Sequence, residues 1–366
     1  MEDGTIAARH LWSGGQLLEN REILIRGGRV RAVRPGGGEG ASIRAHLASV
    51  PFTDLQVNGG GGVMLNSDPT PGAVRRIAEA HRVLGTGDIL PTVITDRPEV
   101  IEAAALAVAD LVADTGIIGL HIEGPHLSAA RRGTHRAADI RPLDRRTVDL
   151  VAGLRARGIR VMITLAPEQA DPALLDELIG SGAVVSAGHS SASGAEARAA
   201  FARGVRCVTH LFNAMDPMTA REPGLLGVAI ASDVACGLIC DGIHVAWEML
   251  RIAIDAHPPG APLFAVSDAM ATVGGPPHFE LYGRIIALHD GRLVNAEGAL
   301  AGAHVDMRQS LANLCNHVGL PLARALPMVT DAPRAVMGLA PRELGVGSSA
   351  ADIVLLDETL DLLQPA

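Results

Sequence analysis

Three polar residues, each closing a short apolar run, have the types needed to hold a metal ion. They are Glu123 in Gly119-Leu120-His121-Ile122-Glu123-Gly124-Pro125, His189 in Ala187-Gly188-His189-Ser190, and His210 in Val208-Thr209-His210-Leu211. Two imidazoles and one carboxylate suit a divalent cation, zinc first, with a fourth position left for water; iron, cobalt and manganese accept the same donors. Such an ion acidifies water and polarises a carbonyl. One histidine in such a place is more often an ordinary part-buried residue, whereas three metal-competent residues at three run ends argue for a ligand set. Asp268, in Ala265-Val266-Ser267-Asp268-Ala269, closes a further run. Alone, Ser-Asp reads as a helix cap. Beside a cation, the same carboxylate can take a proton from water and pass it to a leaving amine. His135, in the loop Arg131-Arg132-Gly133-Thr134-His135, can polarise a carbonyl from the opposite side. Arg221 in Arg221-Glu222-Pro223-Gly224, and Asn213-Ala214 after His210, are candidates for holding an anion. Guanidinium groups and free backbone N–H groups both match phosphate. Asp241-Gly242-Ile243-His244 follows another apolar run and can add hydroxyl or phosphate contacts. The loop Asn58-Gly59-Gly60-Gly61-Gly62 lacks the GK[ST] close of a P-loop, so its glycines read as room for a close backbone approach.

These residues need elements that bring them to one place. Apolar runs ending in polar residues are expected as strands at 53–58, 88–93, 117–123, 160–165, 184–189, 206–210, 237–240 and 263–268. Helical patterns lie between most of them, at 71–84, 98–114, 144–157 and 195–203. Eight strand–helix units in about 290 residues suit a parallel (β/α)8 TIM-like barrel. A doubly wound open sheet shows the same periodicity, but no G-x-G-x-x-G follows the first strand. The barrel also explains the polar tips, because strand ends converge on one face there. The chain ends read differently. Glu22-Ile23-Leu24-Ile25 and Arg29-Val30-Arg31-Ala32-Val33, split by Gly27-Gly28, form a hairpin signature. Ala351-Asp352-Ile353-Val354-Leu355-Leu356-Asp357 is a lone late strand that must join a sheet. Residues 1–50 with 340–366 are therefore expected to form a small β-sandwich domain, and 51–339 the α/β barrel.

Composition narrows the function classes. The chain has 366 residues, 48% hydrophobic and 19% charged, enough to bury a large core. A net charge of -9 and 2% aromatics oppose nucleic-acid binding. All 31 basic residues are arginine, which removes Schiff-base, P-loop and metal-bridging lysines. Cys207, Cys236, Cys240 and Cys315 form no CxxC pair and read as reduced thiols. The apolar stretch 103–120 is broken by Asp110 and Asp114, so no membrane span is expected, and the N-terminus shows no secretory pattern. A cytoplasmic protein is the expectation.

Several motifs stand in one order from about residue 50 to 310. They are Asp54-Leu55-Gln56-Val57-Asn58-Gly59, Gly119 to Pro125, Gly188-His189-Ser190, Thr209-His210-Leu211-Phe212-Asn213-Ala214-Met215, Arg221-Glu222-Pro223-Gly224, Asp241-Gly242-Ile243-His244, Ser267-Asp268-Ala269 and Leu300-Ala301-Gly302. In that order the chain resembles the N-acetylglucosamine-6-phosphate deacetylases of the amidohydrolase superfamily. The resemblance implies one divalent ion per subunit on Glu123, His189 and His210, with Asp268 as base and then acid and His135 at the acetyl carbonyl. It implies sugar and phosphate contacts from Thr134, Asn213, Ala214, Asp241, His244 and Arg221, and an acetyl lining from Leu300, Ala301 and Gly302. Arg221 would reach a neighbouring subunit's site, which implies a homodimer. Gln56 and Asn58 stand where many amidohydrolases carry a His-x-His pair, and read as vestiges of a second-metal site. Two further departures are Asp216, an added negative charge beside the phosphate pocket, and Ala303-His304, where serine is more usual.

The activity so implied is hydrolysis of the acetamide of N-acetylglucosamine 6-phosphate to glucosamine 6-phosphate and acetate. The alternatives are another phosphorylated N-acetyl amino sugar, N-acetylgalactosamine 6-phosphate first, or an N-acyl amino acid. A non-catalytic sugar-phosphate sensor is a different class on the same fold.

Overall fold

The computed structural model describes residues 2–112, 116–295, 298 and 300–363. Eight parallel strands pair in sequence order: β1 Phe52–Val57, β2 Thr86–Ile94, β3 Leu120–Glu123, β4 Val161–Leu165, β5 Val184–Ala187, β6 Cys207–Val208, β7 Ala235–Ile239 and β8 Leu263–Val266. The seam closes where Val57 bridges Ala269, and Asn58 N donates to Ala269 O at 2.9 Å. The sheet is thus a barrel, as parallel strands feeding crossover helices require. The helix expected over 98–114 runs Pro98–Ala109, and Asp114 lies outside the described residues. Caps follow the sequence: Thr70 accepts from Ala73 N ahead of Pro71, and Ser193 and Glu196 form a capping box before Gly194–Arg203. Among the described residues, no helix is long and apolar enough to cross a membrane.

The barrel interior is layered. Leu55, Leu90, Met162, Val184, Cys207 and Phe264 form an apolar cluster. A polar layer follows: His121 Nε2 meets Thr164 Oγ1 at 2.8 Å, Thr164 meets Thr209 at 2.6 Å, and Ser186 meets Thr209 at 2.6 Å. Each of these side chains finds a partner, which offsets its burial. Burial lowers His121 to a pKa of about 4, so it is neutral, with its Nδ1 on Leu55 O at 2.9 Å.

The chain ends meet in one five-stranded sheet. The hairpin strands Gln16–Arg26 and Arg29–Pro35 pair in antiparallel register, with Gly27 and Gly28 both at positive φ as the tight turn demands. Val354–Leu356 pairs antiparallel with Ile43–Ser49 and so completes the sheet from the far end of the chain. Its inner face shares a core with the barrel's helices, and Trp12 Nε1 donates to Thr330 Oγ1 at 2.9 Å. One element was not legible in the sequence: a four-stranded antiparallel sheet at His278–Leu281, Arg284–His289, Arg292–Val294 and Leu300–Ala303, inserted after β8. Its strands are short and half-exposed, so their apolar pattern is thin.

Candidate active site

The site grows out of the C-terminal ends of the barrel strands. His121 and Glu123 are two apart on β3 and share its inward face. His189, His210 and Asp268 stand just past β5, β6 and β8, with φ of 49°, 29° and 51°. Left-handed backbone at a non-glycine residue costs energy and is held only where the surroundings dictate it. Here it ends each strand and turns the side chain toward the barrel axis.

Three ligand atoms converge. Glu123 Oε1 lies 3.1 Å from His189 Nε2 and 3.0 Å from His210 Nε2, and the two nitrogens are 3.1 Å apart. These separations are near the ~3.3 Å edge of a tetrahedron whose bonds are about 2.0 Å. The proton inventory points the same way. His189 Nδ1 sits 2.9 Å from Arg131 O and donates there, so Nε2 is the nitrogen turned into the site. That nitrogen faces a carboxylate oxygen and a second imidazole, an arrangement that a cation satisfies. The residues therefore fit a divalent metal ion. Burial pushes the Glu123 carboxyl up, but its bonds to His189 and His210 outweigh that and hold it well below the usual range.

Asp268 stands across the cavity. Burial first, and then the Glu123 charge, raise its pKa to about 6. His135 is buried and neutral, its pKa lowered to about 3 by burial and then by His189. Its Nδ1 lies 2.7 Å from Thr95 Oγ1 and accepts from Thr95 N at 3.4 Å, which leaves Nε2–H as the free donor. His135 packs edge-on to His189, with centroids 4.4 Å apart.

A cavity of ≈ 150 Å³ gathers these groups. Asn58, Glu123, Thr134, His135, His189, His210, Asn213, Ala214, His244, Asp268, Leu300 and Gly302 all line it. Asp241 sits behind His244, its Oδ2 2.6 Å from Nδ1. Gln56 reaches Asp268 from behind, and Ala301 is fully buried beside the lining. Arg221 is exposed and outside this chain's cavity. Asp216 is paired with Arg131, so its charge is balanced within the chain. His304 Nδ1 lies 2.9 Å from Thr272 Oγ1, beside the lining strand.

Sequence reasoning passed over several supports. Asp54 is fully buried and accepts from Ser267 Oγ, from Ser267 N at 3.2 Å and from Gln56 N at 3.1 Å, bracing the turn that carries Asp268. Burial raises its pKa to about 7 against those bonds. Glu168 takes Ser190 Oγ and Ser191 N, both at 2.7 Å, and fixes the loop after His189. Tyr282, from the inserted sheet, donates to Thr95 O and lies under Arg136. Asp54 had a signal, a carboxylate inside an apolar strand; Glu168 and Tyr282 had none.

The amidohydrolase family model matches residues 52–365. An N-acetylgalactosamine-6-phosphate deacetylase from Shewanella sp. (strain ANA-3) is 41% identical over 77% of this chain and 72% of its own. An N-acetylglucosamine-6-phosphate deacetylase from Haemophilus influenzae is 32% identical over 88% of this chain and 87% of its own. Among solved structures, a variant N-acetyl-D-glucosamine-6-phosphate deacetylase from Mycobacterium smegmatis, in complex with N-acetyl-D-glucosamine-6-phosphate, superposes with a TM-score of 0.87. It is 30% identical and covers 99% of this chain and 97% of its own.

Proposed function

The chain belongs to the amidohydrolase family, and from that premise we propose that it hydrolyses the acetamide of N-acetylglucosamine 6-phosphate, releasing acetate and glucosamine 6-phosphate. The observation that carries this reading is the meeting of Glu123, His189 and His210 in one cavity with Asp268 and His135. One divalent ion per subunit, zinc first, would be held by Glu123 Oε1 and the two Nε2 atoms. When bound, it supplies Lewis acidity toward water and the amide carbonyl. Asp268 accepts a proton from the attacking water, then delivers it to the amide nitrogen as the C–N bond breaks. Its pKa of about 6 suits both directions of transfer near neutrality. His135, neutral and held by Thr95, donates Nε2–H to the oxygen that gains charge during attack.

The sugar phosphate would lie along Thr134, Asn213, Ala214 and His244, with Asp241 fixing the His244 ring. Leu300, Ala301 and Gly302 would bound the acetyl methyl. Arg221, exposed and outside its own cavity, is assigned to the phosphate of a neighbouring copy, which makes the working form a homodimer. The chemistry is assigned to residues 51–339, and residues 1–50 with 340–366 to a supporting β domain. A cytoplasmic site of action fits the four unpaired cysteines.

The 41% identity to an N-acetylgalactosamine-6-phosphate deacetylase favours a second reading, the same reaction on the C4 epimer. Acetate release by metal-loaded protein from both sugar phosphates, and from an N-acetylated amino acid, tests the assignment. Release from a sugar phosphate, lost on chelation and restored by metal, is the expected result. Turnover of the amino acid alone would overturn the sugar-phosphate reading.

A further inference from the structure

Gln56 and Asn58 are two residues apart at the end of β1, and both side chains point at one atom. Asn58 Nδ2 donates to Asp268 Oδ1 at 2.7 Å, and Gln56 Nε2 donates to the same oxygen at 3.1 Å. Gln56 is 1% exposed and Asn58 0%, so neither exchanges this bond for water. A carboxylate can only accept, so each amide must turn its nitrogen, not its oxygen, toward Asp268. The other oxygen, Oδ2, takes no hydrogen bond from any described side chain or backbone group, and Asp268 lines the cavity. The contact lies on the seam that closes the barrel. Val57, between the two amides, bridges Ala269, next to Asp268, and Asn58 N donates to Ala269 O at 2.9 Å. Backbone and side chains thus fix the same register from both sides.

We propose that Asn58 and Gln56 are positioning residues that tie down Oδ1 of Asp268, so that Oδ2 alone takes and returns the proton. The proposal rests on the base role given to Asp268 above. Free rotation of a carboxylate exchanges its two oxygens, and a transfer partner must sit within about 3 Å of the reacting proton. Two neutral donors on one oxygen stop that exchange. An arginine in their place would hold the oxygen too, but its charge would suppress proton uptake. Neutral amides supply direction without an opposing charge.

The test uses metal-loaded protein, N-acetylglucosamine 6-phosphate as substrate and the variants Asn58→Leu and Gln56→Met. The expected loss in kcat is about 10–100-fold for Asn58→Leu and about 10-fold for Gln56→Met, the scale of a misplaced catalytic group. KM should stay within about threefold and metal content at one equivalent, because the amides touch neither metal ligand nor sugar in this reading. The acid limb of the kcat–pH profile should move to higher pH, since lost N–H donors no longer favour the carboxylate. In an Asp268→Asn background, adding Asn58→Leu should cost less than about twofold, because the amide acts through Asp268. A full second loss there overturns the clamp while leaving the deacetylase reading standing. Wild-type turnover by Asp268→Asn overturns the base role of Asp268 and the clamp with it, and still leaves the deacetylase reading standing. A second metal equivalent in the native protein that disappears in Asn58→Leu also overturns the clamp. If the apolar variants fail to fold, the isosteric Asn58→Asp and Gln56→Glu replace a donor by an acceptor, and unchanged kcat in them is equally fatal.

Discussion

Two buried aspartates at opposite ends of the barrel are held in opposite ways. Asp88, near the start of β2, is 1% exposed and meets two guanidiniums: Arg342 at 2.5 and 2.9 Å, and Arg334. Asp268, past the end of β8, is also buried, yet its hydrogen bonds come from two neutral amides. Asp88, clasped by two guanidiniums, ties together the segments that carry them. It joins β2 to the helix Asp331–Val336 and the loop beyond it. A carboxylate directed by amides keeps a proton affinity near neutrality and one free oxygen. In the proposed mechanism the same residue type serves structure at one mouth and chemistry at the other, and the partners decide which.

The contrast can be broken most sharply at its chemical end. Asp268→Asn should lower kcat by about 10³-fold or more with metal content unchanged, read by acetate release and elemental analysis. Retained turnover would remove the distinction. His135→Gln should cost about 10²-fold in kcat, the usual scale for losing one oxyanion donor, with folding unaffected. At the structural end, Asp88→Asn leaves two guanidiniums without their anion. It should destabilise the fold by about 3 kcal/mol in denaturant titration, while kcat per folded molecule stays within about twofold. A larger change in kcat than in stability would mean that the two mouths are not independent. The smallest effect concerns a buried neutral group, His81, which is fully buried on Gly59 O at 3.0 Å. Burial lowers its folded pKa from the ordinary 6.5. Below pH 6.5 the unfolded chain binds a proton that the folded chain refuses. The stability is therefore complete above about 6.5 and declines as pH falls toward the lowered value, by at most about 1.4 kcal/mol per pH unit. His81→Gln should flatten that slope in thermal melts between pH 7 and 5.

Much of this was written locally. The glycine pair at 27–28 announced its hairpin, and the apolar runs ending in Glu123, His189, His210 and Asp268 announced strands with polar tips. The helix expected from 71 does begin at Pro71, and the structure adds Thr70 as its cap. The inserted sheet at 278–303 was not visible, because short half-exposed strands leave little periodicity. Nor was the pairing of Asp216 with Arg131, which depends on two loops 85 positions apart in the chain meeting in space.

By itself the sequence determined which residue types stand at the ends of which strands, because burial and turn chemistry leave a local trace in the order of side chains. The tertiary structure alone decided how those residues face one another. It set the His189 tautomer through Arg131 O, the single free oxygen of Asp268, and the seam that brings Asn58 and Asp268 together across 210 positions. These are hydrogen bonds between segments that become neighbours only when the barrel closes, and no period in the chain records a closure.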